Sequence, residues 1–333
     1  MASSEDIPRW EANSAAFCAR IEMVRSPLKI VLKTKNDPFF IERWIKHHIK
    51  IVGPENLIIF DNMSDDPEVL STYLKYGDQI HIIQFAGPHN NVHHIPTYNN
   101  LYRSLAKSSK YFLFVDTDEY LVLIENATYC DDSRILHFIL ENRNYAVFPT
   151  VWLWNTNWSS TQFHCGTEPC HLALSLACGK PLIRSDKIPF GYVNHNFQLG
   201  TQLFAPPFKS SLFLLHLAHL FPTQRISGNV NKLIARGIAQ SGESPEAIAS
   251  RNDITDEIAS LYVKEIRDFL PLSARKKLGT AALNAGCLEL LPDGAISYYG
   301  AAERKVVNEF IVDPKPVYDL IADRYRLSTA VGP

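Results

Sequence analysis

Two rhythms of apolar and polar positions run through the first 125 residues, and the switches between them mark out short elements. Leu28–Thr34 reads as a strand. Asp37 and Pro38 supply a helix N-cap and a first-turn proline; Ile41, Trp44, Ile45, His48 and Val52 follow at helical spacing up to Gly53. Asn56–Phe60 is a second short strand that runs into Asp61 and Asn62. A helix over Pro67–Tyr76 stops at Gly77, and Gln79–Phe85 is a third strand. A helix around Tyr98–Lys107 leads into a fourth, Tyr111–Val115. This β-α-β-α-β-α-β order predicts an α/β protein with a mostly parallel sheet between helices, binding its ligands beyond the carboxyl ends of the strands.

The remainder is read more coarsely. From about residue 222 the pattern is polar and helical in period, with helices at Asn231–Gln240, Pro245–Arg251, Asp256–Phe269 and Lys315–Tyr325. Pro271, Pro292 to Gly294, and Pro314 to Pro316 punctuate them. The expected organisation is an irregular arm over 1–27, a main domain over 28–221 and a helical C-terminal extension over 222–333.

Composition narrows the class. The 333 residues are 46% apolar and 20% charged, with a net charge of −2, as expected of a soluble globular protein. No Lys/Arg cluster offers a surface for nucleic acid. No secretory signal opens the chain, and the most apolar run, Leu212–Leu215, is interrupted by His216 and His219. A cytoplasmic protein is expected, compatible with peripheral attachment to the inner face of a membrane. The six cysteines form no C-x-x-C pair; Cys165, Cys170 and Cys178, interleaved with His164 and His171, fit no standard zinc spacing. The N-x-[ST] triplets at Asn62, Asn126 and Asn157 are read as chance.

The candidate chemistry sits at the strand ends. Thr34, Lys35, Asn36 and Asp37 follow the first strand, Asp61 to Asp66 the second, and Asp116, Thr117, Asp118 and Glu119 the fourth. Asp116 and Asp118 are two like charges at the edge of a core. They repel and resist desolvation unless a cation joins them, and Mg²⁺ or Mn²⁺ carried with a diphosphate meets that need. No glycine-rich phosphate loop occurs at the first turn, so a nucleotide would be bound by acids, amides and a metal. A haloacid-dehalogenase-type phosphatase also uses D-x-D after a strand, but it calls for other residues where Glu119 and Tyr120 stand. A sugar nucleotidyltransferase would show a glycine-rich first turn. A catalytically inactive sugar- or nucleotide-binding protein is the non-enzyme alternative.

Four ordered blocks, Lys33–Asp37, Ile41–His48, Phe60–Asp65 and Phe114–Tyr120, resemble bacterial family-2-like glycosyltransferases of the GT-A fold. The group they resemble most carries a K-N-(D/E)…W-x-x-H-H…D-N-x-S-x-D…D-x-D-E signature and is akin to the eukaryotic family-92 enzymes. Arg43 stands before Trp44 where much of the group has an acidic residue, Glu42 being one place earlier. The resemblance implies a nucleotide-sugar donor (a UDP-sugar favoured), a divalent cation, Mn²⁺ or Mg²⁺, and transfer to a hydroxyl of a glycan or other acceptor, as in surface polysaccharide synthesis.

By the same resemblance, Thr34, Lys35, Asn36, Asp37 and Asp61 line the nucleoside pocket, with Asp61 on base or ribose. Asp116 faces ribose or metal, Asp118 is the direct metal ligand, and Tyr98 and Asn99 approach the donor. His216, at the end of the Phe213–Leu215 run, is the expected third ligand, with His219 the alternative; imidazole suits Mn²⁺ better than Mg²⁺. Lys180 or Arg184 balances the diphosphate, and Trp152, Trp154 and Trp158 suit stacking on sugars. An inverting reaction needs a carboxylate base, for which Glu168, Asp186 and Glu119 are the candidates.

Overall fold

The computed structural model describes residues 7–125, 128–155, 163–164, 178–188, 191–199, 212–218, 222–273, 288–290 and 296–298. In chain order the main elements begin with α1 (Trp10–Glu22), β1 (Ser26–Thr34), α2 (Pro38–Val52), β2 (Leu57–Asp61), α3 (Pro67–Tyr76), β3 (His81–Gln84), α4 (Asn99–Ser108) and β4 (Ser109–Val115). There follow β5 (Glu119–Glu125), β6 (Thr128–Cys130), α5 (Arg134–Glu141), β7 (Val147–Pro149), β8 (Val151–Asn155), β9 (Phe163–His164), β10 (Pro181–Arg184) and β11 (Leu212–His216). The C-terminal part has α6 (Pro222–Ala235), α7 (Pro245–Ala249), α8 (Glu257–Ser273) and the ribbon β12 (Leu288–Leu290) and β13 (Ile296–Tyr298).

The central sheet has the order β3-β2-β1-β4-β10-β7. Its first four strands are mutually parallel, as expected, and β10 runs antiparallel to β4. Leu28, Ile30, Val31 and Leu32 of β1 are fully buried, the pattern of a strand covered on both faces. Capping sets the helix starts. Asp37 accepts from the Phe40 N–H ahead of α2, and Asp66 accepts from the Glu68 and Val69 N–H groups ahead of α3, each followed by proline. Gly53 ends α2 at φ 79°, a conformation that favours glycine.

A second sheet, β6-β5-β11-β8-β9, departs from the first at the end of β4. In it β11 pairs antiparallel with β5, setting His216 opposite Glu119, and parallel with β8. The D-x-D turn is therefore the hinge between two sheets.

Three features depart from expectation. The segment before Leu28 is not an irregular arm. It holds α1, whose Phe17 and Ile21 are buried in the main core and whose Trp10 stacks on Tyr98. The helix expected from Asn231 begins at Pro222, and α8 runs through Pro271. The C-terminal helices have a core of their own, built on Ile226, Leu233, Ile248, Ala259, Val263 and Ile266. Lys315–Tyr325, and the loops at Pro292 and Pro314, lie outside the described residues. No helix among the described residues is long and apolar enough to cross a membrane.

Lys29 is fully buried on β1, where its ammonium donates to Asn56 Oδ1 at 3.0 Å. Burial pushes its pKa down to about 8, against the pull of Glu55. Below that value Lys29 is charged in both folded and unfolded chains, and the folded state carries the full cost of a buried ammonium. The cost fades as pH rises from about 8 toward the ordinary value of 10.5. Lys29→Met should therefore raise Tm at pH 7, with the gain shrinking toward pH 10. Thermal melts showing a lower Tm for the variant throughout would mean that the bond to Asn56 outweighs desolvation.

Candidate active site

The site is built at the hinge. Where β4 ends, the Glu119 N–H donates to Asp116 O at 3.1 Å and the Asp116 N–H donates to Glu119 Oε2 at 2.8 Å, closing a tight turn. The strands on either side of β4 each deliver a lysine to it. Lys33, one residue beyond the Leu32–Val115 pair, places Nζ 3.3 Å from Asp116 Oδ1. Lys180, just ahead of β10, places Nζ 2.9 Å from Asp116 Oδ2 and 3.9 Å from Glu119 Oε2. Each lysine also donates to an amide, Lys33 to Asn90 Oδ1 at 2.7 Å and Lys180 to Asn194 Oδ1 at 2.8 Å.

Opposed forces set the charges. Burial works against ionisation of Asp116, but Lys180 and Lys33 outweigh it and hold the carboxyl well below its usual range. Lys180 is raised, because Asp116 and Glu119 overcome its burial. Lys33 is lowered, since burial and the neighbouring Lys180 outweigh Asp116. Glu119, with no exposed surface, is pushed up to about 7, chiefly by burial. The cation that the paired carboxylates called for is thus supplied to Asp116 by the protein itself.

Asp118 is served differently. Its Oδ2 lies 3.5 Å from His216 Nε2, which the β5–β11 pairing brings from about 100 positions away. The His216 ring stacks on Trp152 at 4.2 Å, and the Trp152 indole N–H donates to Glu119 Oε1 at 2.8 Å. Burial opposes the charge of Asp118, yet it is lowered overall, with His216 the main counterweight. Asp37 caps α2 and accepts from the Thr117 hydroxyl. Burial, with Asp118 nearby, lifts its carboxyl to about 6.

A divalent ion can be tested against this arrangement. Two adjacent ligands about 2.1 Å from an ion stand about 3 Å apart, close to the 3.5 Å between Asp118 and His216. That pair fits. Asp116 fits less well, because both its oxygens face lysines. Among the described residues no group of three or more His, Cys, Asp or Glu side chains is arranged to hold a metal, so two protein ligands are what the turn offers.

Other predicted residues fall elsewhere. Asp61 is fully buried and accepts from the Ser64 N–H and hydroxyl, Tyr73 OH and Gln84 Nε2. It has no open face for a base or ribose, and it shapes the loop after β2 instead. Asn36, at φ 46°, ties that loop to the end of β1: it donates to Asp65 and accepts from the Asp65 and Asp66 N–H groups. Thr34 is buried and Lys35 exposed. Tyr98 belongs to the aromatic core with Trp10, Phe60 and Phe85, while Asn99 is exposed at the start of α4.

Arg184 and Asp186 pair with each other at 2.6 Å, and Arg184 lies opposite Tyr111 in the register. That is the far end of β4, about 16 Å from Asp116. Neither reaches the turn. Glu119 is a poor base, since both its oxygens are engaged and it is sealed from solvent. Glu168, His219, Trp158, Cys165, Cys170, His171, Asn126 and Asn157 lie outside the described residues, as do the side chains of Trp154 and His164.

Sequence reasoning missed the roles of Lys33, Asn90, Asn194 and Trp152. A lysine inside a strand otherwise buried on both faces was the available signal for Lys33. It also missed α6. Lys232 and Arg225 lie within electrostatic reach of Asp118, and Lys232 of Asp116 and Asp37 as well. Glu265 holds Arg225 in a two-pronged ion pair at 2.8 and 2.9 Å. Lys232 rests over the Tyr262 ring, with no carboxylate within ion-pair distance among the described residues.

No protein-family model matches the chain, and no curated protein matches its sequence. Similar solved structures include S. aureus TarS 1–349, at 10% identity and TM-score 0.33, covering 91% of this chain and 92% of that one. The same protein in complex with UDP gives 10% and 0.32, with the same coverage. Glucosyl-3-phosphoglycerate synthase from Mycobacterium tuberculosis, in complex with Mn²⁺ and UDP-glucose, gives 14% and 0.31, covering 86% and 90%. Likeness at this level says nothing of chemistry, and the functional reading rests on the turn.

Removing the Asp116 charge would leave two buried ammonium groups facing each other. Asp116→Asn should therefore lower Tm by about 4 °C or more beyond the effect of Asp118→Asn. Equal melting temperatures for the two variants would show that the lysines do not depend on Asp116.

Proposed function

We propose that this chain transfers a sugar from a nucleotide-sugar donor, a UDP-sugar by resemblance, to an acceptor hydroxyl at the Asp116–Glu119 turn. The observation that carries the reading is the convergence of Asp118 and His216 at 3.5 Å, beyond the carboxyl end of a parallel strand and beside a carboxylate already neutralised by two lysines. Asp118 and His216 would hold Mn²⁺ or Mg²⁺, which when bound supplies positive charge to a departing diphosphate. Asp116, 34% exposed, keeps acceptor capacity for a donor hydroxyl while its lysines fix its orientation. Lys180, expected to face the diphosphate, is 1% exposed and locked to Asp116. Lys232 takes that role in this proposal.

Inversion at the sugar requires a base for the acceptor hydroxyl. With Glu119 sealed and Asp186 remote, Glu168 is left as the base of this proposal. One observation favours a second reading, a binding protein without transferase activity: each carboxylate described at the turn is already engaged by a neighbour. Donor hydrolysis with and without Mn²⁺ separates the two, since a binder leaves UDP-sugar intact.

Asp118→Ala should abolish sugar transfer and Mn²⁺-enhanced UDP binding while the circular-dichroism spectrum stays that of the wild type. Unchanged turnover would sink the transferase reading. Lys232→Ala should weaken UDP binding by about 1.5–3 kcal/mol, the scale of a hydrogen bond to a charged group, and leave uridine binding unchanged. Calorimetry showing equal losses for both ligands would move the diphosphate away from α6.

A further inference from the structure

A histidine ligand on a strand end has two free torsions, and an imidazole able to swing loses much of its affinity to disorder. Two contacts restrain His216, and two further links join them into a closed ring. Asp118 and Glu119 are joined in the chain. Glu119 Oε1 accepts from the Trp152 indole N–H at 2.8 Å, and the Trp152 ring lies against that of His216 at 4.2 Å, 29° from parallel. His216 closes the circle at 3.5 Å from Asp118. The backbone reinforces it, since Glu119 and His216 are register partners and Trp152 lies on the strand that flanks β11 on its other side.

The two oxygens of Glu119 are divided between the two halves of the site. Oε2 takes the Asp116 N–H, which sets the acidic turn, and Oε1 takes the indole that backs His216. A carboxylate with no exposed surface and two strong acceptors can do this. A glutamine cannot, because its amide would face one of the two donors with a donor of its own. The face of Trp152 against His216 is also unavailable to a sugar, which changes the part expected of this tryptophan.

We infer that Trp152 and Glu119 are positioning residues that hold the His216 imidazole toward Asp118, so that the pair is in place before an ion or donor arrives. The inference rests on the proposed reading for the identity of the ion, but the orientation of the ring is a property of the metal-free protein.

The test reads both. In metal-free protein with labelled histidines, the His216 ring-proton signal, assigned by its disappearance in His216→Ala, should lie upfield because it faces an indole. It should move toward the ordinary histidine position in Glu119→Ala, which keeps the indole and its ring current but removes the carboxylate that anchors it; Trp152→Leu, which removes the ring current itself, gives the unshielded limit. Mn²⁺ titration followed by electron paramagnetic resonance should show about ten-fold weaker binding in Trp152→Leu and Glu119→Gln. The double variant Trp152→Leu/His216→Ala should bind no more weakly than His216→Ala alone, the mark of residues acting through one group. A His216 signal unmoved by Glu119→Ala overturns the inference, as do losses that multiply in the double variant. If the wild type binds no Mn²⁺, the metal-dependent reading fails, and the ring-proton signal still decides the positioning claim.

Discussion

The carboxylate of Asp116, gripped between Lys33 and Lys180, is the interaction on which the site depends. Two lysines with 7% and 1% of their side chains exposed could not remain ionised there without an anion between them. The anion in turn, only about a third exposed at the end of an apolar strand, is held in its charged form by them. Because the lysines come from β1 and from the residue before β10, the triad pins both neighbours of β4 at the level of the turn. Packing enforces the same register. A Cβ on Gly179 would fall 1.9 Å from the Thr150 carbonyl oxygen, so only glycine lets the chain pass there and aim Lys180 at Asp116.

Most polar residues at the other strand ends serve this geometry as internal wiring. A buried polar group without a partner costs about 1–3 kcal/mol, and the loops after β1 and β2 avoid nearly all of that cost among themselves. Asn62 donates to the Phe85 and Gly87 carbonyls, Asn36 bridges two loops, and Asp61 absorbs four donors. Thr34 Oγ1 is an exception, buried with no partner. A strand-end carboxylate is thus as able to organise a loop as to bind a ligand, and the difference lies in whether its lone pairs are already spent.

That distinction explains what the sequence could reveal. The four parallel strands and their connecting helices were legible because each is either apolar on both faces or opened by an Asp-Pro cap, and these signals are local. Helix α1 was not, since few of its positions are buried and its remaining face is polar or small. The second sheet was hidden for another reason. Its partners β5, β8 and β11 are far apart in the chain, and apart from the seven-residue β5 its strands, at two to five residues, have too few turns of alternation to declare themselves. His216 was singled out through a motif, and the structure sets it 3.5 Å from Asp118, whereas Lys33 was underread. Arg184 and Asp186 were misplaced because β10 is antiparallel, so four residues beyond Lys180 carry a side chain about 13 Å away from the turn.

The same logic assigns the C-terminal helices a place in the site. Helices α6 to α8 have a separate core, so their stability does not require contact with the D-x-D turn. Yet α6 turns Arg225 and Lys232 toward it, and α8 answers each in a different way. Glu265 neutralises Arg225 with two hydrogen bonds, assisted by Asn229, whereas Tyr262 offers Lys232 only the face of a ring. A ring stabilises a cation by about 0.5–2 kcal/mol and leaves its charge uncancelled. Burial and Arg225 lower the Lys232 pKa to about 8, with Asp118 and Asp116 pulling the other way. One cation of the pair is thereby spent on holding α6 to α8, and the other keeps its charge beside the acidic turn, where the proposed function seats the diphosphate.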